Sequence, residues 1–296
     1  MDLHRLTLLR ELNYRGTIAA VAQALSYSPS TISAQLSQLE IEIGVPLLEP
    51  VGRRLRLTPQ AQILVRHTES ILLQVETAEA EIAHSMHELR GTVRIALFQT
   101  AALALLPSVL SALALAHPML RIEFAQAETE QALPQLLHDF DLVVGEEYPG
   151  HLLPRPTNVS MVELTRDPIR LAGAGDHDGE AVDLTEFADR VWVMEPVGAA
   201  SRAWAVERCR ASGFEPDVPF QTDDVVVHRR LAEAGLALAL LPDLLFVGAT
   251  SSLPLVRIGQ PEFYSRSLFM ASRAGSSAHP AILACQAAFV AAANCT

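Results

Sequence analysis

Apolar residues recur three and four positions apart at Leu6, Leu9 and Leu12, then over Ile18 to Leu25, then at Ile32, Leu36, Leu39 and Ile43. That period predicts three helices close together in sequence. The first, Leu3 to Tyr14, turns Leu6, Leu9 and Leu12, with Leu8, toward a core. The second carries small Ala19, Ala20, Ala22 and Ala24, which permit close helix approach. Ser26 and Tyr27 form a tight turn. Ser28 is the expected N-cap of the third helix, and Pro29 takes its first position, where a missing N–H costs nothing. Gly44 is suited to end that helix in a left-handed cap. Away from its apolar stripe the third helix carries Ser30, Ala34, Ser37 and Gln38, flanked by Thr31, Ser33 and Gln35. Arg53, Arg54 and Arg56 then follow Gly52 and alternate with Leu55 and Leu57, which reads as a short two-stranded basic wing.

Helix, tight turn, second helix and basic wing make a winged helix-turn-helix, with the polar face of the later helix entering a major groove. Ser28, Ser30, Thr31, Ser33, Gln35 and Gln38 are the expected DNA contacts, with Arg53 and Arg54 on phosphate or in the minor groove. A plain alanine-rich helical hairpin with a solvated arginine turn is the alternative for any one of these elements. Their ordered combination favours DNA.

Thr58 and Pro59 repeat the cap-and-proline start of a helix. Ala61, Leu64, Thr68, Ile71, Val75, Ala78, Ile82, Ser85 and Leu89 follow at spacings of three and four. This heptad seam predicts a helix of about thirty residues, roughly 45 Å long, that pairs with a second copy. After Gly91 the period changes to two. Strands are expected at Thr92–Leu97, Arg121–Phe124 and Asp141–Gly145, and helices at Ala102–Ala116 and Glu130–His138. The alternation argues a parallel sheet covered on both faces. A polar, proline-rich stretch, Pro149 to Asn158, precedes apolar Val162–Leu164. A second alternating unit follows, with strands at Ile169–Ala172, Val191–Met194 and Pro219–Thr222. Its helices are Ser201–Ser212 and Val225–Ala234, and Leu236–Leu241 is a buried run. Strand Ser267–Ala271 and helix Pro280–Ala292 return the chain to the first unit.

The run S-P-S-T-I-S-x-Q-L-x-x-L-E-x-x-x-G-V-P-L-L-E-P-x-G-R-R-x-R-L-T resembles the N-terminal domain of LysR-type transcriptional regulators, most specifically over Ser33 to Thr58. Ala34 and Pro50 stand where basic residues are frequent in that family, Leu48 where Phe is usual and Ala61 where Gly is usual. The resemblance implies an α/β multidomain protein with a winged helix-turn-helix at 1–58, a linker and dimerisation helix at 59–90, and an effector domain at 91–296. That domain would be two-lobed and periplasmic-binding-protein-like, with lobe 1 at 91–163 plus 266–296 and lobe 2 at 164–265. Crossovers are expected near Val162–Thr165 and Tyr264–Leu268. The implied protein is an effector-responsive regulator that reads an imperfect palindrome on double-stranded DNA as a dimer, or as a tetramer built from two dimers.

In a bilobed α/β domain ligands sit at strand C-termini and helix N-termini. Gln99, Thr100, Ser201 and Thr222 are the expected effector contacts, with Arg202 as a charge partner. For each, an ordinary helix cap is the structural alternative. Glu146, Glu147, Asp223 and Asp224 would make the mouth acidic, which disfavours a dianion or selects a cation.

The 296 residues carry a net charge of -12, which argues against nucleic acid until its distribution is counted. Residues 1–58 hold six Arg against five Asp and Glu, whereas 91–296 hold fourteen against twenty-four. Cys209, Cys285 and Cys295 have no CxxC or Cys/His metal spacing and read as free thiols; a redox pair is the alternative. The charged N-terminus, with no apolar leader or membrane-length run, predicts a cytoplasmic protein without membrane contact, cofactor or metal. GxSxG, P-loop, GxGxxG and HExxH are missing, so an enzyme on the α/β domain is the weaker reading. An effector-insensitive DNA-binding protein is a further alternative.

Overall fold

Helix α1 (Leu3–Arg15) opens on Asp2, whose carboxylate accepts from the His4 amide, and buries Leu6, Leu8, Leu9 and Leu12. Helix α2 (Ile18–Ala24) starts at Thr17 and buries Val21 and Ala22. Helix α3 (Pro29–Ile43) is capped by Ser28 and ends at Gly44, φ 78°, in the left-handed conformation that a Cβ would strain. Ile32, Leu36 and Leu39 close the core between them. Strands β1 (Leu48–Val51) and β2 (Arg54–Leu57) pair antiparallel as the wing. These are features of the computed structural model, which describes residues 1–51, 54–85, 88–155, 158–175, 180–248 and 253–295.

Helix α4 runs Pro59–His84, 26 residues, which is shorter than the heptad reading to Leu89. At its end Ser85 turns back on Ile82: both the amide and the hydroxyl of Ser85 donate to the Ile82 carbonyl, at 2.9 and 2.7 Å. A serine hydroxyl competing for a helical carbonyl favours termination. The chain divides into two units, Met1–Glu81 and Ile82–Thr296.

In the second unit β3 (Gly91–Leu97) leads to α5 (Gln99–Ala104) and α6 (Leu106–Ala116). The single helix expected from Ala102 to Ala116 is therefore two. Pro107 sits in the first turn of α6 and has no N–H to carry the ladder through. Strand β4 (Leu120–Gln126), helix α7 (Thr129–Gln135) and strand β5 (Leu142–Glu147) follow. The apolar segment Val162–Leu164 and the expected strand Ile169–Ala172 belong to one strand, β6 (Val159–Ala172). Then come β7 (Val191–Met194), α8 (Ala200–Ala211), β8 (Asp217–Gln221), α9 (Val225–Glu233), β9 (Ala239–Pro242), β10 (Leu255–Val256), β11 (Ser265–Arg273) and α10 (Pro280–Ala293).

Strands β4, β3 and β5 are parallel, but β11 enters beside β5 antiparallel and pairs antiparallel with β6 on its other side. The sheet is mixed, not wholly parallel, because β11 is the chain returning from the second lobe. Strand β6 joins the lobes: Val159–Pro168 pairs β11, whereas Ile169–Ala172 pairs β9.

Side chains alternate across the first-lobe sheet as the period-two pattern requires. Ile95, Leu97, Leu142 and Val144 face α6 and α10; Ala96, Val143, Phe269 and Ala271 face α7. The second lobe repeats this, with Trp192 and Met194 on one face and Val193 on the other. Gly145 lies where α7 crosses β5. A Cβ there would stand 2.5 Å from Phe269 Cζ and 2.7 Å from Thr129 Cγ2.

Candidate functional site

In the first unit the outer face of α3 is the candidate nucleic-acid surface. Ser30, Thr31, Ser33, Ala34, Ser37 and Gln38 are all exposed. The Ser28 hydroxyl accepts from the Thr31 amide at 3.1 Å and shares hydrogen bonds with the hydroxyls of Ser30 and Thr31 at 2.8 Å each. Ser28 therefore positions the helix start. Gln35 is half-buried, and its Oε1 accepts from Arg5 Nε at 2.9 Å. Arg5 is held in turn by Glu42. Arg56 is paired across the wing with Glu49 at 2.6 Å. Gly52 and Arg53 lie outside the described residues, as does the side chain of Arg54.

Two further residues fix this surface: Glu40, which was not singled out in the sequence, and Thr58, the expected cap of the next helix. The Glu40 carboxylate accepts from the amides of Leu47 and Leu48 at 2.7 and 3.0 Å, tying the wing to α3. The Thr58 hydroxyl caps α4 through the Ala61 amide and donates to the Pro46 carbonyl.

In the second unit a cavity of about 290 Å³ opens between the lobes. Of the residues expected to contact an effector, Gln99, Thr100 and Ser201 line it and Arg202 and Thr222 do not. The guanidinium of Arg202 donates to the Glu195 carbonyl at 2.9 Å. The Thr222 hydroxyl accepts from the Asp224 amide, and its carbonyl accepts from His228 Nε2. Both are spent on the loops that form the cleft.

The charge at the floor comes from Arg266 on β11. This guanidinium is 3% exposed. It donates to Asp167 Oδ2 at 2.7 and 3.0 Å, to Thr100 Oγ1 at 2.6 Å, and to Glu146. Burial pulls its pKa down, but Glu146 and Asp167 overcome that and raise it. Burial in turn pushes the Glu146 and Asp167 carboxyls up, against the pull of Arg266. An arginine at the polar start of β11, just before the apolar run Leu268–Ala271, is the sequence signal for this group.

The acidic pairs divide by direction. Glu146 faces the cleft, but Glu147 points to the opposite side of β5, where it accepts from Arg155 at 2.7 Å and from the Leu153 amide. Strand alternation dictates that split. Asp223 lines the cavity, whereas Asp224 caps α9 and accepts from Gln99 Nε2 at 2.8 Å. The Gln99 contact pulls the Asp224 carboxyl below its ordinary range. Glu128, Glu130 and Glu195, not among the expected contacts, also line the space. Burial, and then repulsion from Glu146, Glu130, Glu195 and Asp223, raises the Glu128 carboxyl to about 7. Tyr148 and Trp204 supply an aromatic wall, their ring centroids 5.3 Å apart.

Cys209 and Cys285 are buried, and desolvation pushes both thiols up to about 12. Among the described residues no cluster of His, Cys, Asp or Glu is arranged to hold a metal ion, and no helix is long and apolar enough to cross a membrane.

The fold has counterparts. The chain is 28% identical over 257 residues to the transcriptional dual regulator GltC of Bacillus subtilis, covering 84% of this chain and 83% of that one. It is 27% identical over 246 residues to the DNA-binding transcriptional dual regulator OxyR of Escherichia coli, covering 80% and 79%. A full-length OxyR variant from Pseudomonas aeruginosa superposes with a TM-score of 0.73 at 18% identity, over 98% of this chain and 94% of that one. The family described as bacterial regulatory helix-turn-helix protein, lysR family, matches residues 3–62. The LysR substrate binding domain matches residues 87–294. These matches span the helix-turn-helix and the two lobes around the cavity, and the chain belongs to the LysR family, as a DNA-binding transcriptional regulator with an effector-binding domain.

Proposed function

We propose that occupancy of the interlobe cavity controls how this regulator sits on an imperfect palindrome. The observation that carries the reading is the cavity itself, floored by Arg266 on β11 and lined from both lobes. A ligand touching both lobes favours one lobe arrangement over another, and a preference of that kind shifts the population of assemblies on DNA. Gln99, Thr100 and Ser201 are the contacts kept from the sequence, with Arg202 and Thr222 as supports. The expected boundaries, 1–58, 59–90 and 91–296, serve as reader, linker and sensor, in a cytoplasmic oligomer that catalyses no reaction.

On DNA, Ser30, Thr31, Ser33 and Gln38 read base edges, with Gln35 reaching only if Arg5 releases it. Ser28 sets the helix start, and Arg53 and Arg54 contact phosphate. Thiol chemistry with peroxide does not suit Cys209 and Cys285: the reactive species is the thiolate, and burial raises both thiols.

Footprinting of the full chain on DNA upstream of its own gene, at two salt concentrations, tests the reading. An extended two-fold footprint is expected. In the Arg53→Ala/Arg54→Ala variant the slope of log affinity against log salt should fall by about 2, one for each lost phosphate contact. An unchanged slope removes the wing from the interface. A footprint that no cleft ligand alters removes the sensor.

A further inference from the structure

We infer that Arg5, a residue of α1 outside the recognition helix, sets the base preference of this regulator by withholding the side-chain amide of Gln35 from adenine. The inference rests on α3 being the helix that reads DNA.

Thr31, Gln35, Gln38 and Glu42 follow one another at spacings of four, three and four, so they share one side of α3. Thr31 and Gln38 are exposed, whereas Gln35 between them is half-buried. Arg5, in the first turn of α1, reaches into that row. Its Nε donates to Gln35 Oε1 at 2.9 Å, and its Nη1 donates to Glu42. The side chains of Arg5 and Glu42 are only 20% and 26% exposed, so solvent screens their attraction in part and Arg5 is anchored while it holds Gln35. A guanidinium carries donors and no acceptor. The amide is therefore fixed with its oxygen on Arg5 and its NH2 group turned away.

A glutamine picks out adenine with both ends of its amide. The oxygen accepts from the N6 amino group, and the NH2 group donates to N7. Arg5 has taken the oxygen. An adenine amino group brought to the same atom would stand against a guanidinium, with positive charge on both sides of one acceptor. What Gln35 keeps is its NH2 group, and this donates equally to N7 of either purine or to O4 of thymine. Releasing Arg5 forfeits a hydrogen bond to a charged group, and the adenine pair gains a contact of similar size, each on the order of tenfold in affinity. The two offset each other, and the base pair opposite Gln35 is left without a preference for adenine.

Selection of binding sites from a randomised half-site, carried out with the full chain, reads this directly. The wild type and Gln35→Ala should choose the same bases. Arg5→Met keeps the apolar stem and removes the donors, and it should raise the preference for adenine at one position of each half-site on the order of tenfold. Arg5→Ala should do the same, and it decides the matter if methionine disturbs α1. Arg5→Met/Gln35→Ala should lose the new preference. A purely structural role for Arg5 predicts weaker binding to every sequence and no change in the bases chosen, and that result overturns the inference. An adenine preference in the wild type that Gln35→Ala abolishes also overturns it, because Gln35 then reads adenine with Arg5 in place. So does a new preference that survives in the double variant, because another residue then supplies it. Gln38→Ala separates this inference from the reading beneath it. A changed base choice in Gln38→Ala with none in Arg5→Met sinks the inference alone. No change in either variant means that α3 is not the reader, and both fall.

Discussion

At the scale of single residues, burial and local charge decide what each ionisable group can do. Glu128 is held above its ordinary value by burial and by four neighbouring acids. An acid whose folded pKa is raised binds more protons in the native state than in the unfolded state. Its contribution is therefore lost as pH climbs from about 4.5, the ordinary value, to about 7, and is flat beyond. Glu128→Gln removes the repelling charge. Its melting temperature should equal the wild type's near pH 4, exceed it increasingly up to pH 7, and keep that margin above. Equal melting temperatures across the range would mean that Glu128 is solvated and its neighbours screened. Arg266 differs because its charge is satisfied in place by Asp167 and Glu146. Removing it would strand two buried carboxylates, a large penalty, so it is a poor target for testing ligand binding.

At the scale of elements, close packing makes particular small residues obligatory. Strand β5 presses Gly145 against Phe269 on β11 and Thr129 on α7, and the Thr129 hydroxyl accepts from the Glu146 amide at 3.0 Å. A methyl group at Gly145 would displace Phe269 and Thr129, and with Thr129 its hydrogen bond to Glu146. Gly145→Ala should cost about 1–3 kcal/mol, read as a lower urea midpoint for the second unit. A midpoint equal to wild type would show that Phe269 swings aside freely. Nothing in the sequence marks Gly145, since this close approach joins residues far apart along the chain. The caps were legible, because Ser28, Pro29, Gly44 and Thr58 act within a few residues of themselves. So were most strands, whose alternation needs only neighbours. The continuity of β6 from the apolar segment Val162–Leu164 into the predicted strand Ile169–Ala172 was hidden by Asp167-Pro168 in its middle. That pair reads as a break, yet Asp167 is buried because it receives Arg266 and the Leu244 amide. The site divides in the same way. Gln99 and Thr100 stand at a strand-to-helix junction and could be found. Arg266, Glu128 and Glu130 converge only through the tertiary fold, and period-two alternation alone could have sent Glu147 away from the cleft.

At the scale of the whole molecule, α4 is asked to do two jobs, and its apolar stripe divides between them. Ala61, Leu64, Val65 and Ile71 pack into the core of the first unit with α1 and α3. They are not available to a second copy, and an aspartate at Leu64 or Ile71 would unfold the DNA-reading domain. The stripe continues where the chain itself gives it less cover: Val75 is half-buried, Ala78 is exposed and Ile82 is 64% exposed. An apolar stripe that continues past its own domain at heptad spacing suits pairing with the same stripe of another copy. Two readers joined this way present two recognition helices, which a palindromic site requires. Val75→Asp/Ile82→Asp places charge only on that outer half. The variant should keep the wild-type unfolding of the first unit, halve the mass seen by light scattering, and shrink the DNA footprint to one half-site. If the mass is unchanged, the copies associate through another surface, and the exposed half of α4 is a solvated helix face.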